Sequence, residues 1–219
     1  MIKYLILDFG MVLAYPPTGN WHITNKFNEL IDKSKMDKEK FKRAYEKHKH
    51  ILSETVITLD EEYDMMRRFY NNTFKDAEYP DYNEKICDEI AYDRVYGNDK
   101  YVPYDNIKAE LKPLKNKYTL LLLSDNWPSV YNAMKEYGIY DYFDKIYVSS
   151  VYGQEKKDGD FFDNPINDYE IKSGEALFID DKETLLDVAV SKGLAVKLMD
   201  RANGVTESKY EIIHDLKML

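Results

Sequence analysis

Four stretches end an apolar run, or closely follow one, with groups that can handle an anion. Tyr4-Leu5-Ile6-Leu7-Asp8-Phe9-Gly10 delivers a carboxylate and then a glycine, whose backbone can turn sharply and approach a ligand closely. Leu121-Leu122-Leu123-Ser124-Asp125 delivers a hydroxyl just ahead of Pro128, where a helix is predicted to begin. Ser124 and the free N–H groups of that helix start could receive a phosphate oxygen. Gln154-Glu155-Lys156-Lys157 supplies ammonium groups able to neutralise an anion, and Ala176-Leu177-Phe178-Ile179-Asp180-Asp181 closes with two adjacent acids. If the fold gathers Asp8 with Asp180 and Asp181, three carboxylates form a hard oxygen site suited to Mg²⁺. Each stretch also has an ordinary structural explanation. An acid or serine at a strand end caps a helix, and a lysine pair is commonly solvated surface.

What must position these groups is legible in the periodicity. The apolar runs lack helical spacing and read as strands buried on both faces, as in a parallel sheet. Strands are predicted at Tyr4–Leu7, Tyr118–Ser124, Lys145–Ser149, Ala176–Asp180 and Leu194–Leu198. Helices are predicted near Tyr104–Asn116, Pro128–Tyr137, Glu183–Lys192 and the C-terminus. Alternation of this kind implies an α/β core with right-handed crossovers. From Trp21 to about Tyr96 the pattern changes to helical spacing, as in Leu59, Tyr63, Met66, Phe69 and Tyr70. Thr58 ahead of Asp60-Glu61-Glu62 marks a helix start there. The chain therefore reads as a core of residues 1–14 and 99–219 with a helical domain, 15–98, inserted after the first strand. A turn is expected at Gly97-Asn98-Asp99. In open α/β sheets ligands bind beyond the carboxyl ends of the strands, where all four stretches would lie.

Composition narrows the class. The 219 residues are 44% hydrophobic, enough for a packed core. A net charge of −9 with interspersed signs argues against a nucleic-acid partner. The single cysteine, Cys87, rules out a disulfide framework or a cysteine-built metal site within one chain. Asp8 interrupts the N-terminal apolar stretch, and Leu120–Leu123 is too short to span a bilayer, so a cytoplasmic protein with no membrane partner is expected.

Taken in order and spacing, the four stretches resemble the motifs of the haloacid dehalogenase-like hydrolase superfamily, from one end of the chain to the other. Asp8 matches the first motif, Ser124 the second, Lys156 the third, and Asp180-Asp181 the doubled-acid form of the fourth. The helical insertion resembles that superfamily's type-1 cap. The resemblance implies a Rossmann-like α/β core and a phosphomonoester hydrolase acting on a small phosphorylated metabolite. Asp8 would be the nucleophile that forms an aspartyl-phosphate. Asp8, Asp180, Asp181 and the backbone carbonyl of Gly10 would hold Mg²⁺, and Ser124, Asp125 and Lys156 would bind the substrate phosphate.

Three positions depart from the pattern. Gly10 stands where most phosphatases of the superfamily carry a second aspartate that protonates the leaving group. The chain thus resembles the members with glycine there, some of which look like sugar-1-phosphate phosphatases. His22 and Tyr15 are candidate substitutes for that acid, although packing or surface roles suit both. Asp125 replaces a frequent asparagine, and Lys157 a frequent proline, so spacing alone favours Lys156 over Lys157. Two rival readings follow: a 2-haloacid dehalogenase, whose relatives also lack the second acid, and a binding or regulatory domain without turnover.

Overall fold

The computed structural model describes residues 1–97 and 99–219, in two compact units: Met1–Tyr15 with Pro103–Leu219, and Pro16–Val102. The chain opens with β1 (Tyr4–Leu7) and the two-residue β2 (Ala14–Tyr15), then enters the helical unit. That unit is built on α1 (Asn25–Leu30), α2 (Lys38–His48), α3 (Leu59–Asp76) and α4 (Glu84–Tyr96). Side-chain oxygens at the helix starts satisfy orphan N–H groups at every one of them. Thr24 caps α1, Asp37 caps α2 and Asn83 caps α4. At α3 the predicted start is a full capping box: Thr58 Oγ1 accepts the Glu61 N–H at 3.2 Å, and Glu61 Oε2 accepts the Thr58 N–H at 3.0 Å. The face of α3 picked out by its spacing is buried at Met66, Phe69 and Tyr70, and Phe74 extends it toward Phe27 and Tyr79. Cys87 is buried and unbridged, a small apolar residue of this core. The turn expected at Gly97-Asn98-Asp99 includes Asn98, which lies outside the described residues.

After β3 (Val102–Pro103) the chain alternates. It runs through α5 (Ile107–Lys115), β4 (Thr119–Ser124), α6 (Ser129–Glu136) and β5 (Lys145–Val148), then α7 (Ser149–Tyr152) and α8 (Asp163–Asp168). The last elements are β6 (Ala176–Asp180), α9 (Glu183–Ser191), β7 (Ala195–Met199) and β8 (Ile212–Ile213). Six strands form one parallel sheet in the order β5-β4-β1-β6-β7-β8. β1 is central because both faces of its apolar run are fully buried: Ile6 packs with Leu121, Leu123 and Phe178, while Leu5 and Leu7 lie on the opposite face. This is the α/β core with an inserted helical region that the sequence predicts. No helix among the described residues is long and apolar enough to cross a membrane.

One expectation is corrected. The C-terminal segment holds the short strand β8 and a 3-10 turn, Leu216–Met218, instead of a helix. Two isoleucines in a polar stretch carry no readable period; what makes them a strand is the free edge of β7, to which Leu198 and Met199 align Ile212 and Ile213. In the tight turn after Asp8 the left-handed residue is Met11 (φ 56°).

Candidate active site

The sheet register brings the first and fourth stretches together. Leu7 is level with Ile179, and the Asp8 N–H continues the ladder by donating to the Ile179 carbonyl at 3.0 Å. Asp8 therefore sits beside Asp180. Side chains alternate along a strand, so Asp8 follows the face of Ile6 and Asp180 the face of Phe178, which share one core. Both carboxylates project from the same face at the carboxyl edge. Ser124 ends β4 on the other side of β1 and is buried, next to the loop that precedes α6.

Between the acids lies Lys156. Its Nζ is 2.6 Å from Asp180 Oδ2, 3.0 Å from Asp8 Oδ1, and 5.7 Å from the centroid of the Phe178 ring. Lys156 is 1% exposed and Asp180 0%, so water screens this triad little. The lysine stands on a 3-10 turn, Lys156–Asp158, bracketed by Gly153 (φ 66°) and Gly159 (φ 85°), conformations side-chain-bearing residues rarely adopt. Lys157 leaves that turn in the opposite sense: its side chain is 64% exposed and pairs with Glu155 at 2.7 Å. The turn thus brings Lys156, and not Lys157, to the acids.

Asp181 is half-buried and completes an acidic cluster. Carboxylate oxygens of Asp8, Asp180 and Asp181 lie within 4.8 Å of one another, an arrangement that could hold a metal ion. Asp8 Oδ1 is buried and faces the lysine without a well-directed hydrogen bond. Burial, with repulsion from Asp180 and Asp181, outweighs Lys156 and pushes the Asp8 carboxyl up to about 7. Burial and then Asp180 push Asp181 up to about 6. Burial opposes the charge of Lys156, but Asp180, Asp8 and Asp125 prevail and hold its ammonium above the usual lysine range.

The loops behind the cluster are braced by long-range contacts that the sequence does not announce. Asp125 Oδ1 accepts the Lys156 N–H at 3.0 Å, which commits this oxygen of the predicted phosphate-binding residue to the lysine turn. The Asn126 N–H donates to Ser149 Oγ at 3.0 Å, and the Ser149 hydroxyl donates to the Asn126 carbonyl at 3.2 Å. Within Phe9–Ala14 the Leu13 and Ala14 N–H groups both donate to the Phe9 carbonyl, and the Met11 N–H donates to Ala14. The Gly10 carbonyl accepts no hydrogen bond among the described residues. Of the two candidate substitute acids, Tyr15 packs its ring 5.1 Å from that of Tyr104. In the helical unit, the half-buried His22 ring lies 6.2 Å from those of Tyr45 and Phe69.

The fold that carries this geometry is shared with known proteins. Residues 22–199 match the model of a family described as haloacid dehalogenase-like hydrolases. The match starts beyond Asp8, so the first strand is assigned to the site by the sheet register alone. A search of curated proteins finds no significant match. Among solved structures, the HAD-family enzyme BT-2542 from Bacteroides thetaiotaomicron is similar at a TM-score of 0.67 and 22% identity, covering 93% of this chain and 96% of its own. The HAD-hydrolase YfnB from Bacillus subtilis, bound to magnesium, gives 0.67 and 14%, covering 99% and 96%. The 2-haloacid dehalogenase from Pseudomonas syringae pv. tomato gives 0.66 and 15%, covering 100% and 96%. At such identities the structures establish a shared fold and no shared substrate. With the family match spanning most of both units, the chain belongs to the haloacid dehalogenase-like hydrolases.

Proposed function

We propose that this chain is a Mg²⁺-dependent phosphomonoester hydrolase acting on a small phosphorylated metabolite through an aspartyl-phosphate on Asp8. The observation that carries the reading is the charge imbalance at the strand ends: three clustered carboxylates face one ammonium. Gathered carboxylates repel one another without a cation. The donor set fits the metal, since Asp8 Oδ1 lacks a well-directed hydrogen bond and the Gly10 carbonyl is unused. Relatives of similar fold support it: YfnB was solved with magnesium, and BT-2542 also in complex with magnesium and inorganic phosphate.

In this reading Asp8, Asp180, Asp181 and the Gly10 carbonyl would hold Mg²⁺, which would offset the charge between the nucleophile and the phosphate. Ser124 and Lys156 bind the remaining phosphate oxygens, with Asp125 holding the backbone of Lys156 in place. An Asp8 oxygen attacks phosphorus, and the bond to the leaving oxygen breaks with its electron pair. That oxygen takes a proton from solvent. Water then attacks phosphorus and loses a proton to solvent, and the bond from phosphorus to the Asp8 oxygen breaks with its electron pair on the carboxylate, releasing inorganic phosphate with Asp8 restored. The helical unit, Pro16–Val102, would serve as the substrate-selecting cap.

Gly10 offers no side chain to protonate the leaving group, help worth typically ~10²–10⁴ in rate. Substrates whose leaving oxygen needs little protonation are therefore favoured, a sugar 1-phosphate over an ordinary alkyl phosphate. The test is phosphate release from a panel of phosphomonoesters, including sugar 1-phosphates and aryl phosphates, with Mg²⁺ or chelator, for the native chain and Asp8→Asn. Turnover lost on chelation and in the variant is expected, with rate rising steeply with leaving-group acidity. A flat dependence refutes the leaving-group argument. Halide release from 2-haloacids, unaffected by chelator, would replace phosphatase with dehalogenase; the acidic cluster weighs against that outcome.

A further inference from the structure

The turn that follows Asp8 is gripped from outside by a side chain that the reading above leaves without a task. Arg201, just beyond β7, donates to the Val12 carbonyl twice, from Nε at 3.2 Å and from Nη2 at 3.0 Å. The same guanidinium grips Glu110 of α5 in a fork, Nη1 to Oε1 at 3.0 Å and Nη2 to Oε2 at 2.7 Å. Both side chains are buried, 6% and 3% exposed, and Arg201 stacks 4.7 Å above the Tyr104 ring. Glu110 is anchored in turn, because its Oε2 accepts the Leu216 N–H at 3.1 Å. The adjacent carbonyl, Leu13, is taken by the Tyr104 N–H at 3.1 Å.

The carbonyls of this turn are therefore divided by function. Phe9 and Ala14 close the turn internally, and Val12 and Leu13 are tied to the sheet unit outside it. Gly10, two residues after the nucleophile, keeps its carbonyl free of described partners. Between them Met11 is held at φ 56°, a conformation uncommon for a residue with a side chain and maintained only where its surroundings over-determine it. We propose that Arg201, locked by Glu110, is a positioning residue: by pinning the Val12 carbonyl it orients the Gly10 carbonyl for the divalent cation.

This rests on the reading of Gly10 as a metal ligand. The arrangement needs arginine, since one planar group must satisfy a carboxylate and a carbonyl together, which a lysine ammonium cannot match. Partners that orient metal ligands typically contribute 10–100-fold to metal affinity. The test is Mg²⁺ binding to the native chain, Arg201→Lys, Glu110→Gln and, as a control, Lys192→Met, which removes the separate ion pair to Asp163. Calorimetry gives the Mg²⁺ affinity, thermal unfolding gives stability, and phosphate release is measured at low and saturating Mg²⁺. Arg201→Lys is expected to bind Mg²⁺ at least tenfold more weakly, with turnover approaching the native value at saturating Mg²⁺. Glu110→Gln follows in the same direction, and Lys192→Met binds as the native chain does. A merely structural role would lower the unfolding temperature and leave Mg²⁺ affinity unchanged, and that result overturns the proposal. If Arg201→Lys does not fold, Glu110→Gln decides by the same criterion. A native chain that binds no Mg²⁺ refutes the metal-dependent reading itself and takes the proposal with it.

Discussion

Replacing Lys156 by Met isolates the electrostatics of the site. The change keeps much of the side chain's length and removes one buried ammonium from between two acids. At an effective dielectric of about 20, contacts of 2.6 and 3.0 Å are each worth about 6 kcal/mol of attraction before desolvation. Desolvation of the ions cancels much of this, so the measurable cost is that of leaving buried charges unpaired, about 3–5 kcal/mol. For a chain of 219 residues each kcal/mol shifts the unfolding temperature by about 2–4 °C, so a loss on the order of 10 °C is expected. The pH dependence distinguishes charge from packing. Asp8 already has its folded pKa raised to about 7 by burial, and removing the lysine raises it further. A raised acid favours the folded state at low pH and loses that contribution as pH rises from its unfolded value through its folded one. The gap between variant and native chain should therefore be large at pH 8 and shrink toward pH 5. The assay is thermal unfolding in chelator across that range, then with added Mg²⁺, which should restore part of the loss. A loss below about 1 kcal/mol at pH 8, or one independent of pH, would refute the argument that this triad is a charge balance.

Other consequences can be checked by simpler means. Ser124→Ala should lower kcat/KM for the best phosphomonoester by about 10–100-fold, the range for a hydrogen bond to a charged group, with the fold intact by circular dichroism. Thr58→Ala removes half of the α3 capping box and should cost about 1 kcal/mol in denaturant unfolding. His22 is held neutral down to about pH 4, chiefly by burial and then by Arg94. Its contribution is complete above its unfolded value near 6.5 and is lost as pH falls toward 4, about 3 kcal/mol in all. His22→Phe should flatten the stability profile in that window, and an unchanged acid limb would count against the assignment.

Local patterning determined much of this protein. Apolar runs without helical spacing that end in Asp8, Ser124 and Asp180 specify buried parallel strands and place those groups at the carboxyl edge of the sheet. The spacing from Leu59 to Tyr70 specifies the buried face of α3, and Thr58 with Glu61 specifies its start. These signals act over a few residues, which is why they survive in the sequence. What required the tertiary structure depends on partners far apart in the chain. The direction of a 3-10 turn between Gly153 and Gly159 decides that Lys156, and not Lys157, reaches the acids. β8 exists because β7 offers an edge, Asp125 is engaged by a backbone 31 residues away, and Arg201 meets Glu110 across 91 residues. Such contacts form only after the chain has closed its loops and packed, so no local period or spacing announces them.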